Sequence, residues 1–295
     1  MRALVLSSGG SRGHYQIGAL KYLYKEKNTK HEIYCGTSMG ALIGAYLTQY
    51  AYGHEHLGID RLSELFLSLS KDSIYKKWLP LGMLHALLGK RSLYDSAPLR
   101  SLIYEHIDQL KILDTGKQLR IGVTVMTPVL NQHKGISNYK IYTERDRELL
   151  TAITASCALA PFFEPVKLCE GLGTDGGVQV VTPIKAAIDA GATDIDVITG
   201  YPTFLNYPKG VEPSAYHDAL HMIDLMINRL TWVDIERARY VNSLVKSGIT
   251  TTKRYINLTV IHPTADLETP TLDFERSRGM RLQKQGWDDA KLIVK

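Results

Sequence analysis

Residues 3–6 and 33–35 are short apolar runs, and each breaks off at a glycine-dense turn that opens directly onto a helical pattern. A buried parallel strand is covered on both faces, so it reads as a continuous apolar run, and a helix usually carries the chain back to the next strand. The first run leads into Ser8-Gly9-Gly10-Ser11-Arg12-Gly13, after which Ile17, Leu20 and Tyr24 recur at helical spacing. The second leads into Gly36-Thr37-Ser38-Met39-Gly40 and a helix expected from Ala41 towards Tyr50.

Leu119, Ile121, Val123 and Val125 alternate with other residues and predict a further strand. Thr182-Pro183 reads as a cap and first helical residue, with Gly191 as the stop before a strand over 195–199. Residues 213–246 are expected to be mostly helical, and 255–261 to form a last strand. Strands that alternate with helices in this way imply an α/β fold, a mainly parallel central sheet with helices on both faces, in three layers α/β/α. No linker, repeat or charge block divides the 295 residues, and the 44% apolar content suffices for a large core, so a single domain over 1–295 is expected.

The same sequence excludes several functions. Its net charge of +5 is spread along the chain and forms no nucleic-acid stripe, although it suits transient contact with an anionic membrane surface. The longest apolar-rich stretch, 78–89, falls short of the roughly 20 residues that cross a bilayer, and the first residues lack the apolar segment of a secretory signal. The expectation is a cytoplasmic protein, peripheral where it meets a membrane. Cys35, Cys157 and Cys169 have no metal-ligand or disulfide spacing and are read as small apolar fillers. No clustered ligands point to a metal, and no cofactor is expected.

Three glycine-dense segments carry the chemistry. Gly36-Thr37-Ser38-Met39-Gly40 fits a nucleophile elbow, a sharp strand-to-helix turn that holds a serine hydroxyl out of the sheet, with Gly36 and Gly40 sparing a collision between backbones. The N–H groups of Gly9, Gly10, Ser11, Arg12 and Gly13 converge at a helix start, where they can hold an anion such as a phosphate or the oxyanion of an acyl intermediate. Dinucleotide binding is disfavoured, because position 8 is serine and no acid ends the second strand. The third segment, Gly171-Leu172-Gly173-Thr174-Asp175-Gly176-Gly177, reads as a loop around one carboxylate. An anion hole, an elbow serine and a carboxylate are the minimum set for acyl transfer.

These three motifs, in this order, resemble those of patatin-like phospholipases, which carry a glycine-rich loop after the first strand, a GxSxG elbow and a DGG or DGA motif. Leu4-Val5-Leu6-Ser7, Ala155-Ser156-Cys157-Ala158, Phe163-Glu164-Pro165-Val166 and Thr182-Pro183-Ile184 are similar to the family's connecting sequence. Ser8 departs from the usual glycine, and Gln179-Val180-Val181 stands where many members have asparagine. The resemblance implies a serine lipid acyl hydrolase of phospholipase A or lysophospholipase type, with Ser38 as nucleophile, Asp175 as its base without a histidine, and Gly176 and Gly177 shaping the dyad loop. The implied substrate is a phospholipid or other acyl lipid. Arg12 would orient the loop, meet a lipid phosphate, or form a surface ion pair.

Two other readings remain at this stage. His262 follows the last strand and completes the order Ser38, Asp175, His262 of an α/β-hydrolase-type esterase. A non-catalytic lipid-binding scaffold with the same fold is the other, though intact Ser38 and Asp175 oppose it. Finally, the basic pairs Lys76-Lys77 and Lys90-Arg91 bracket an apolar segment containing Trp78, Leu81, Met83, Leu84, Leu87 and Leu88. That arrangement suits either an interfacial anchor or a helix that covers the sheet.

Overall fold

Strand β1 (Arg2–Leu6) turns Leu4 and Leu6 to one face of a sheet and Ala3 and Val5 to the other, and all four are fully buried. Successive strand residues point to opposite faces, so such a strand needs cover on both sides. The computed structural model describes residues 1–77, 91–128, 135–206 and 214–294. Among these, β2 (Ile33–Thr37), β5 (Gln118–Pro128), β9 (Asp194–Ile198) and β10 (Asn257–Ile261) join β1 in the order β10-β9-β1-β2-β5, every pairing parallel. Leu6 lies opposite both Gly36 and Ile198, so the strands end level and the loops after β1 and β2 open on one rim.

Helices cover both faces. Leu4, Leu6, Leu119 and Ile121 pack under α1 (Gly13–Lys25), α2 (Met39–Thr48), α3 (Glu55–Ser68), α5 (Ala97–His106), α7 (Leu149–Ser156) and α10 (Arg276–Ile293). Ala3, Val5, Ile33 and Val197 pack under α8 (Ile184–Asp189) and α9 (Ala215–Lys246). The short α4 (Lys71–Ile74) and α6 (Gln109–Asp114), and an antiparallel pair β3 (Lys76–Lys77) and β4 (Tyr94–Asp95), lie between these elements in the chain. The architecture is the three-layer α/β/α arrangement expected from the sequence.

The far side of the sheet differs from a purely parallel plan. β6 (Gly135–Thr143) runs antiparallel to β5, and β7 (Val166–Leu168) and β8 (Gly171–Asp175) form an antiparallel pair. β8 occupies most of the stretch expected to be a loop around Asp175. Its glycines conceal the strand from a hydrophobicity pattern, yet Gly173 is required there: a Cβ would lie 2.8 Å from that of Ala155 on α7 and 2.5 Å from Leu168.

Three smaller expectations are also corrected. Helix α8 begins at Ile184 with Pro183 itself in the cap position, and the Thr182 side chain makes no cap hydrogen bond; the Thr182 N–H instead donates to Asp234 at 2.9 Å. Cys35 and Cys157 are buried as expected, but Cys169 sits exposed in the connection between β7 and β8. The apolar segment with its basic pairs lies, from Trp78 to Lys90, outside the described residues; Lys76 and Lys77 at its start are exposed. Among the described residues, no helix is long and apolar enough to cross a membrane.

Candidate active site

The register of β5 brings the serine and the carboxylate together. Thr37, the last residue of β2, pairs with Gly122, and Asp175, the last residue of β8, pairs with the next residue, Val123. β2 and β8 thus meet head to head along one edge of β5, and Ser38 emerges where Asp175 ends. Both side chains line one pocket, walled largely by Met39, Ile74, Leu99, Leu159, Phe163 and Ile227.

Ser38 has the geometry that an elbow demands. Its φ of 56° and ψ of −125° are strained for a residue with a side chain. The strain is held locally: the Ser38 N–H donates to Ser156 Oγ at 2.8 Å, and that hydroxyl donates to Gly122 O at 2.7 Å. Steric crowding explains both flanking glycines, since a Cβ on Gly36 would lie 2.2 Å from Gly40 O and one on Gly40 would lie 2.4 Å from Leu6 O.

Asp175 is 2% exposed. Burial pushes its pKa up to about 7, against the opposing pull of hydrogen bonds from the Ser38 hydroxyl and the Gly177 N–H. The Gly177 bond is 2.7 Å long. Gly176 must lack a side chain, because a Cβ there would approach Gly122 O to 2.4 Å. Gln179 is exposed at the surface.

The glycine loop is narrower as an anion site than its sequence implies. The Ser11 N–H donates to Thr271 O at 2.8 Å, the Arg12 N–H to Gly9 O at 3.0 Å, and the Gly13 N–H turns back to Gly10 O. Those three expected donors are therefore committed elsewhere. Ser8 keeps its N–H, as its sequence position allows, but spends it on Val181 O at 3.2 Å. The N–H groups of Gly9 and Gly10 carry no hydrogen bond to another described residue, and Gly10 lines the pocket beside Ser38.

Arg12 is neither exposed nor aimed at a headgroup. Its guanidinium is buried, donates to both carboxylate oxygens of Asp224 at 3.0 and 3.1 Å and to Thr271 Oγ1 at 2.7 Å, and lies 4.7 Å from the centre of the Tyr201 ring. Burial works against the charge, but Asp224 outweighs it and the pKa stays raised.

His262 and His14 both pack against aromatic residues. His262 follows β10, three strands from β2 or about 14 Å at ordinary strand spacing, with Nδ1 3.1 Å from Pro263 O and its ring edge-on to Trp232. His262 is thus paired with Pro263 and Trp232, and no hydrogen bond joins it to Asp175 among the described residues. His14 is the second residue of α1, buried against Phe66, and its pKa is lowered by burial to about 4. Sequence reasoning assigned no part to Ser156, Asp224 or Thr271. Ser156 was visible only as one residue of a connecting segment, and nothing in the sequence marks Asp224 or Thr271 as neighbours of residue 12.

A sequence model of the family described as patatin-like phospholipase matches residues 4–188, more than half of the chain. The chain is 26% identical over 197 residues to the probable lipid hydrolase 463L of Invertebrate iridescent virus 6. That similarity covers 63% of this chain and 63% of the viral protein, so the chain spans less than two thirds of that relative's length. Among solved structures, VipD from Legionella pneumophila aligns with a TM-score of 0.43 at 14% identity, covering 99% of this chain and 66% of that one. On the match over residues 4–188, the chain belongs to the patatin-like phospholipase family.

Proposed function

We propose that this protein hydrolyses carboxylic esters of acyl lipids, in the manner of a phospholipase A or lysophospholipase, with Ser38 as nucleophile and Asp175 as general base. The observation that carries the reading is the head-to-head meeting of β2 and β8 on β5, which sets a strained serine beside a buried carboxylate with a pKa near 7. A serine hydroxyl attacks an ester only when a base removes its proton, and a base is most effective when its pKa lies near the working pH. An ordinary aspartate, at about 3.9, is too weak for this, and burial corrects it.

Ser38 Oγ bonds to the ester carbonyl carbon as its proton passes to Asp175. The carbonyl oxygen takes the negative charge and is held by the N–H groups of Gly9 and Gly10. Collapse breaks the bond to the leaving oxygen, which receives the proton from Asp175 and departs as a lysolipid or alcohol. Water then attacks the acyl-serine, Asp175 takes its proton and returns it to Ser38, and a fatty acid leaves. The apolar pocket walls suit an acyl chain, and the name of the viral relative, a probable lipid hydrolase, points the same way.

Residues 1–295 would act as one unit, consistent with the close packing of α10 on α1, where Gly18 abuts the Gln283 backbone and Gly286 that of Tyr15. Transient contact with a membrane surface would deliver the lipid. A serine-directed fluorophosphonate tests the assignment: it should label Ser38, and both Ser38→Ala and Asp175→Asn should lose the label while staying folded. Labelling that persists in Ser38→Ala would remove Ser38 as the nucleophile.

A further inference from the structure

The loop that carries Gly9 and Gly10 is fastened by residues beyond the segment that matches the family. The match ends at residue 188, whereas the partners of the loop are Asp224 on α9 and the Pro270-Thr271 segment ahead of α10. Six hydrogen bonds converge there. Ser11 donates its N–H to Thr271 O and its hydroxyl to Pro270 O, each at 2.8 Å. Arg12 grips Asp224 through two hydrogen bonds, and the Thr271 hydroxyl joins the pair, accepting from Arg12 at 2.7 Å and donating to Asp224 at 2.5 Å. Gly10, at φ 53°, presses against the same carbonyl, so closely that a Cβ would lie 2.2 Å from Thr271 O.

We propose that Asp224 and Thr271 are positioning residues, which act through Arg12 and Ser11 to fix the direction in which Gly9 and Gly10 present their N–H groups beside Ser38. The proposal rests on the reading of Ser38 and Asp175 as the dyad. Its physical basis is angular. A hydrogen bond weakens steeply as the donor turns away, and an oxyanion hole lowers a barrier only if its donors point correctly before charge develops. Glycine residues impose little direction of their own. A bidentate guanidinium–carboxylate pair supplies that direction, because its planar fork sets orientation as well as distance. Burial sharpens the dependence: Arg12 and Asp224 are 3% and 14% exposed, so water is a poor substitute for either partner.

The test compares wild type with Asp224→Asn, Thr271→Val and Asp224→Glu. Three quantities are measured: the rate of fluorophosphonate labelling at Ser38, affinity for a non-hydrolysable ether phospholipid, and amide hydrogen exchange at residues 9–12. Asp224→Asn should label roughly 10- to 100-fold more slowly, short of the 10²–10³ loss that follows removal of a donor. Ether-lipid affinity should change by less than about twofold, since the ground state makes no oxyanion. Exchange should quicken at 9–12 while β1 and β2 keep their protection. Thr271→Val should show a smaller effect of the same kind, and Asp224→Glu should recover part of the loss. Labelling at the wild-type rate in Asp224→Asn would overturn the proposal, as would slow labelling accompanied by faster exchange throughout the sheet. Should wild type itself fail to label, the dyad reading falls, and unchanged exchange at 9–12 in Asp224→Asn would still refute the clamp.

Discussion

Asp175 illustrates how much of the chemistry depends on one side chain's surroundings. Its folded pKa, about 7, lies above the 3.8 of a free aspartate. The native state thus keeps a proton that the unfolded chain has already released, and the stability penalty accumulates from about pH 4 to about pH 7 and stays constant above. Asp175→Asn removes this penalty, so its melting temperature should exceed that of wild type at pH 8, with the gap narrowing as the pH falls below about 7 and closing near pH 4. Catalysis has the opposite requirement. With the carboxylate as base, kcat/KM for a soluble ester should rise tenfold per pH unit below about 7 and level off above it. A flat profile between pH 5 and 8, or a variant less stable than wild type at pH 8, would show that Asp175 is not held in the state described. The carboxylate was legible in the sequence as a residue, but its pKa was not, because burial depends on how α7 packs against β8, the strand that carries it.

At the scale of elements, the glycine turns carried most of what the sequence revealed. Turn, strand and helix can be read at Ser8–Gly13 and Gly36–Gly40 because glycines mark both turns, and at Gly10, Gly36 and Gly40 a side chain would collide with backbone. Gly40→Ala checks this directly: its Cβ would meet two backbone oxygens, Leu6 O at 2.4 Å and Ser7 O at 2.7 Å, neither of which can yield cheaply. The substitution should destabilise the protein by roughly 3 kcal/mol, at the upper end of overpacking, as judged by denaturant midpoint. A loss below about 0.5 kcal/mol, the scale of a neutral surface change, would mean that the elbow is looser than its geometry implies. The antiparallel β8 was hidden for the complementary reason. A strand spelled Gly-Leu-Gly-Thr-Asp has no apolar alternation, since its place is dictated by what packs above it.

Across the whole molecule, the pocket and a set of buried ion pairs occupy opposite rims of the sheet. The pocket opens at the carboxyl ends of β1 and β2, whereas a buried polar network lies towards their amino ends. There Lys117 pairs with Glu55 at 2.7 Å, both 2% exposed, and His31 and Arg2 bind Asp196 at 2.8 and 2.6 Å. Burial lowers the Lys117 pKa, and Glu55 opposes the shift. Lys117→Met should cost roughly 3–5 kcal/mol, because it strands a buried carboxylate, yet the folded fraction should still label at Ser38. Loss of labelling in molecules that remain folded would show that the two rims are coupled. None of these pairs could be foreseen from the sequence, where residues 55 and 117 or 31 and 196 are far apart and carry no shared motif.

The central claim is that Ser38 and Asp175 cleave acyl lipids, and its most direct test is mass analysis of the products formed from vesicles of phosphatidylcholine with phosphatidylglycerol. Wild type should release free fatty acid and an equimolar lysolipid, while Ser38→Ala and Asp175→Asn, folded by circular dichroism, should release neither above background. Intact vesicle lipid after prolonged incubation with wild type, or equal product from either variant, would contradict it.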